Sequence, residues 1–106
     1  MLCVLLFALA CTPARAQQAT QAQIDELCAN LATFSRQAAL ARDRGVSRSA
    51  ALTNIRQNLA GMKAPKGLKD TIIGVTDAVY DRPTDSVENL SRETFDACKT
   101  KLTTSR

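Results

Sequence analysis

The chain has no histidine and no tryptophan, one tyrosine and three phenylalanines, and only four glycines in 106 residues. Without histidine it lacks the side chain most used as general base, as metal ligand and as partner of a serine or cysteine nucleophile. The glycines, Gly45, Gly61, Gly67 and Gly74, stand apart and never gather into a loop that cradles phosphate. The scarcity of aromatics removes the platform on which nucleic-acid bases stack. Long apolar runs are missing too: the stretch from Leu2 to Ala10 falls well short of the ~20 residues that cross a bilayer, so no transmembrane segment is expected.

That stretch does have the form of an export signal. Small residues follow it and end at Ala14-Arg15-Ala16, which makes Ala16/Gln17 the expected cleavage point. No Lys or Arg precedes the apolar run, which leaves two readings, a start further upstream or a weak signal. A second processing route stays open at Ala8-Leu9-Ala10-Cys11. It approximates a lipoprotein box with Ala8 where leucine is usual, and acylation of Cys11 would anchor the protein to a membrane. The expected organisation is therefore a signal peptide over 1–16 and a single helical domain over 17–106. Such a protein is periplasmic or secreted, with lipid anchoring at Cys11 as the alternative.

Beyond residue 16 only two cysteines remain, Cys28 and Cys98. In a small exported domain, two cysteines read as one disulfide, because the compartment is oxidising and a core of this size is marginal. The hydrophobic pattern is helical throughout, without a sustained alternation that would make a strand. A first helix begins at Thr20, with Gln23 completing a capping box. It carries the stripe Ile24, Leu27, Cys28, Leu31, Phe34 and Ala38, and stops at Gly45. Ser47 caps a second helix, with Val46 placed to staple against Ala51 and with Leu52, Ile55, Leu59 and Met62 on its apolar face. Residues 63–67 read as a loop.

A third helix is expected from Leu68 to Tyr80, with Leu68, Ile72, Val75, Thr76 and Val79 inward, ended by Pro83. Gly74 and Ala78 would form a flat strip for close approach of another helix. Asp85 and Glu88 suggest a capping box for a fourth helix with the stripe Val87, Leu90, Thr94, Phe95, Cys98 and Leu102, and residues 103–106 should fray. Cys28 and Cys98 both fall on core stripes, one near the start of the first helix and one near the end of the last. The expected fold is all-α, a four-helix up-and-down bundle closed by one disulfide between first and last helices. The wide spacing of the pair makes it structural, since redox-active cysteines are usually close in sequence.

With both of these cysteines committed, no thiol nucleophile or zinc site remains, and no cofactor is implied. Asp77 and Asp81 stand one helical turn apart beside Tyr80. A cation needs more oxygen ligands than the local sequence offers, so they read as solvated carboxylates. Charge is segregated instead. Residues 36–69 hold eight basic side chains against Asp43 alone; residues 70–98 hold seven acidic ones against Arg82 and Arg92. Arg42, Arg44, Arg48, Arg56, Lys63, Lys66 and Lys69 are the candidate anion-binding residues, and an anionic envelope component or a protein is the expected partner. The other reading is that each half is a solvated face and the two steer helix packing.

The stretch from residue 24 to 98 resembles a group of small exported, two-cysteine helical proteins of Gram-negative bacteria. The likeness rests on Leu27-Cys28, Arg42-Asp43-Arg44-Gly45-Val46, Ala78-Val79-Tyr80 followed by Pro83, and Phe95-Asp96-Ala97-Cys98. The resemblance implies an all-α bundle with a terminal disulfide and implies no activity. A shorter likeness, over Ile72-Ile73-Gly74-Val75-Thr76-Asp77-Ala78, is to periplasmic immunity proteins, which block secreted cell-wall hydrolases. The expectation is a non-catalytic interaction module with a basic face, with an immunity-type inhibitor as the alternative.

Overall fold

Four helices make up all the regular structure among residues 20–104, the part of the chain that the computed structural model describes. They are α1 (Gln21–Asp43), α2 (Arg48–Ala60), α3 (Lys66–Tyr80) and α4 (Val87–Thr104). The expected signal segment, its cleavage point at Ala16 and the lipidation candidate Cys11 lie outside the described residues.

Local sequence accounts for both ends of α1. The Thr20 hydroxyl accepts from the Gln23 amide at 3.1 Å, and the Gln23 side chain accepts from the Thr20 amide at 2.9 Å. At the other end Gly45 takes φ +89°, the left-handed conformation that costs glycine least. Its amide donates to the Arg42 carbonyl and the Val46 amide to that of Ala41, each at 3.0 Å, so the last carbonyls of the helix are satisfied. Ser47 then caps α2 by accepting from the Ala50 amide at 3.1 Å, and Ala51 is buried as the staple requires.

Three boundaries and two faces depart from expectation. α3 begins two residues early, at Lys66, because the Lys69 amide reaches the Pro65 carbonyl at 3.1 Å and Lys66 pairs with Asp70 one turn on. Ser86, not Asp85, caps α4: its hydroxyl accepts from the Asn89 amide at 3.0 Å, while Asp85 is held by Arg42 and Arg82. α4 also continues through Thr103 and Thr104, into the segment expected to fray. Met62 is 44% exposed rather than on the apolar face, since α2 has already ended at Ala60. Among the described residues no helix approaches Gly74: a methyl group there would meet nothing within 4 Å.

The topology is up-and-down, with α1 and α3 parallel and α2 and α4 running the other way. Leu31 of α1 lies in one core cluster with Ile72 and with Leu59 of α2; about two turns on, Ala38 and Ala39 share another with Val79, Val87 and Leu90. The Tyr80 hydroxyl donates to the Val46 carbonyl at 2.8 Å, tying the end of α3 to the α1–α2 turn. Cys28, fully buried, is bonded to Cys98 with their Cα atoms 5.5 Å apart, joining the start of α1 to the end of α4. α1 is the central element, packed along α4 and against α3. α2 packs chiefly on α3, and α3 and α4 hardly meet. No helix among the described residues is long and apolar enough to cross a membrane.

Candidate functional site

The seven basic candidates separate into three situations. Arg42 is an internal fastener. Its side chain is only 10% exposed, and its guanidinium donates to the carbonyl oxygens of Arg82 at 2.8 Å and Asp85 at 2.7 Å, and more weakly to that of Val79 at 3.5 Å. Nε adds a bond to Asp43 at 3.1 Å. With its donors directed at backbone, this side chain has little left for an external anion.

Arg48 is engaged as well. It forms ion pairs with Asp81 and, at 3.5 Å, with Asp77, and the hydrogen bond it donates to Asp81 raises its pKa further above the ordinary guanidinium value. The two aspartates one turn apart on α3 are thus drawn to a cation of the chain itself. Arg36 similarly reaches Glu88 of α4 at 3.7 Å. The acidic half of the sequence therefore supplies counter-charges to the basic half across helix boundaries, and part of the segregation serves packing.

Arg56, Lys66 and Lys69 are brought together. They surround a concavity of about 310 Å³ between α2 and α3, with Leu59 and Ile73 among its apolar lining. Helical spacing explains the convergence. Lys66, Lys69 and Ile73 recur at three- and four-residue steps on one side of α3, and Arg56, Leu59 and Ala60 do so near the end of α2. Asp70 lies in the same concavity and accepts from the Lys66 ammonium at 2.8 Å, which raises the Lys66 pKa above its usual value. Three cations against one carboxylate leave the site net positive. Arg44 and Lys63 are exposed and stand outside this concavity, in the turns before and after α2.

Among the described residues no group of three or more acidic, cysteine or histidine side chains is placed to hold a metal ion. One feature escaped the sequence reading, an apolar cleft between α3 and α4. Its sequence signal is the width of the α3 stripe. Leu68, Thr71, Val75 and Ala78 widen that stripe beside Ile72, Thr76 and Val79, and all four line the cleft. No protein-family model, no curated protein and no solved structure matches this chain.

Proposed function

We propose that this protein is an exported, non-catalytic binding module that engages an anionic envelope polymer through the concavity formed by Arg56, Lys66 and Lys69. The convergence of three cations from two helices on one recess carries the reading, since a surface that only solvates itself has no need of a shared recess. The Cys28–Cys98 bond is compatible with work in an oxidising compartment. The lack of histidine and of a free cysteine among the described residues favours binding over catalysis.

The test is titration of the protein with dextran sulfate at rising salt. Binding should weaken steeply with ionic strength, as contacts between exposed charges are screened. Replacing Arg56, Lys66 and Lys69 together by Ser should remove it without lowering the melting temperature by more than a few degrees. Equal binding by the triple variant would refute the site, and binding of an acidic protein but not of the polymer would refute the ligand class.

A further inference from the structure

The basic concavity between α2 and α3 holds a carboxylate as well as its three cations. Helical register fixes it there: Asp70 is one turn from Lys66 on one side and from Ile73 on the other, and next to Lys69. One carboxylate oxygen accepts from the Lys66 ammonium at 2.8 Å. The side chain is 58% exposed, and an ionised carboxylate offers about four acceptor sites, so this bond leaves most of its accepting capacity open.

That placement bears on which anions the recess admits. A polyanion without hydrogen-bond donors must bring its charge up to Asp70 in order to reach Lys66 and Lys69. Like charges at close range repel, so entry is penalised. A repeat unit with a hydroxyl beside its anionic group meets the same carboxylate with a donor. The bond formed is charge-assisted, one of the stronger kinds. A site built to accept from a hydroxyl discriminates against the analogue that lacks it.

The apolar lining selects in the same direction. Half-buried Ala64 and Ile73 line the recess beside the charges. Hydrocarbon there suits the C–H groups of a polyol or a sugar and offers nothing to a bare chain of phosphates.

We propose, on the reading of this recess as an anion site, that Asp70 sets its specificity. The ligand is an anionic polymer whose repeat unit carries a hydroxyl beside its charge, the chemistry shared by polyol phosphates and acidic glycans. Arg56, Lys66 and Lys69 hold the anionic group, and Asp70 accepts from the hydroxyl.

Two synthetic hexamers test this, one of glycerol phosphodiesters and one of propane-1,3-diol phosphodiesters. They match in charge and backbone and differ in the free hydroxyl. In calorimetric titration of the disulfide-intact protein at low ionic strength, the glycerol hexamer should bind about tenfold more tightly. Asp70→Ala should tighten the propanediol hexamer and bring the two affinities within about twofold of each other. Asp70→Asn keeps an acceptor without the charge and should give an intermediate ratio. The Lys66–Asp70 pair is an exposed one within a single helix, so both variants should keep their helical circular dichroism. Equal affinity of the unaltered protein for the two hexamers would overturn the proposal, and so would a preference that survives Asp70→Ala unchanged. Either result would leave the concavity standing as an anion site. Failure to bind either hexamer, or equal binding by the triple Ser variant of Arg56, Lys66 and Lys69, would overturn the anion site and the specificity together.

Discussion

Arg42, in the last turn of α1, donates to the carbonyl oxygen of Arg82, forty residues further along the chain, at 2.8 Å. A second donor reaches the carbonyl of Asp85 at 2.7 Å. One side chain thereby holds the whole α3–α4 turn against the end of α1, and it does so from a position screened from water. Arg42→Ala leaves those carbonyls without their charged donor and should cost about 2 kcal/mol. Arg42→Lys, which keeps the charge but not the planar fork, should recover only part of this. The urea midpoint of unfolding measures both.

The Cys28–Cys98 bond closes a loop 70 residues long. In the chain-entropy account such a closure stabilises by about 4 kcal/mol, a large share of what a domain of this size has in total. Reduction, or Cys28→Ser with Cys98→Ser, should lower the melting temperature by more than 10 °C. Helical circular dichroism before and after reductant, read as a function of temperature, gives the result directly. A melting curve unchanged by reduction would show that the packing of α1 on α4 is sufficient alone.

Two glycines with equally open surroundings should respond in opposite directions to alanine. Gly45 holds φ +89°, where a Cβ is strained whatever the space around it, and Gly45→Ala should destabilise by about 1 kcal/mol. Gly74 is an exposed position within α3, and Gly74→Ala should stabilise by about as much through helix propensity. Denaturant unfolding of the two variants side by side checks the pair of signs.

Stability should hold from about pH 5 to about pH 9 and fall at both extremes. At the acid end, Asp25 is held below its usual value by the hydrogen bond from Lys99 and then by that from Gln21, and Glu93 by the hydrogen bond from Arg82. For each, the folded pKa lies below the unfolded one, so the contribution is present above the unfolded value and is lost as pH falls through the folded value. At the alkaline end, Asp70 raises Lys66 and burial raises Tyr80. Those contributions are complete below about pH 10 and are lost as pH rises through the elevated values. Asp25→Asn with Glu93→Gln should make the acid limb shallower, as measured by melting temperature against pH.

Much of α1 and α2 was legible residue by residue. Thr20 with Gln23, Ser47, and Gly45 act on backbone groups within a few residues, so their effect can be read without knowing the fold. The pairing of Cys28 with Cys98 was legible for a related reason, since helical period alone places both on core stripes. The start of α4 was not. Asp85 is as good a cap as Ser86 in isolation, but Arg82 pairs with its carboxylate while Arg42 holds its carbonyl. The flat strip at Gly74 failed because nothing in α3 tells which of its faces a neighbour will choose.

The basic cluster illustrates the same division. Seven cations were visible in the sequence as one charged stretch, yet their roles differ. Arg42 and Arg48 turn to internal partners, while Arg56, Lys66 and Lys69 meet at one recess. No spacing rule separates Arg42 from Arg44. Only the arrival of the α3–α4 turn at the end of α1 decides which of them is consumed.

The sequence by itself determined the helices, most of their ends, the all-α class and the cross-link, because helical period and capping are short-range and each requires only a few neighbouring residues. The tertiary structure alone decided which charges stay available, which residue caps α4, and that α3 and α4 stand apart over an apolar cleft. Those outcomes depend on how α3 and α4 share the surface of α1 and how α2 seats on α3. The allocation is a competition among distant segments for the same contacts, and no local pattern encodes its result.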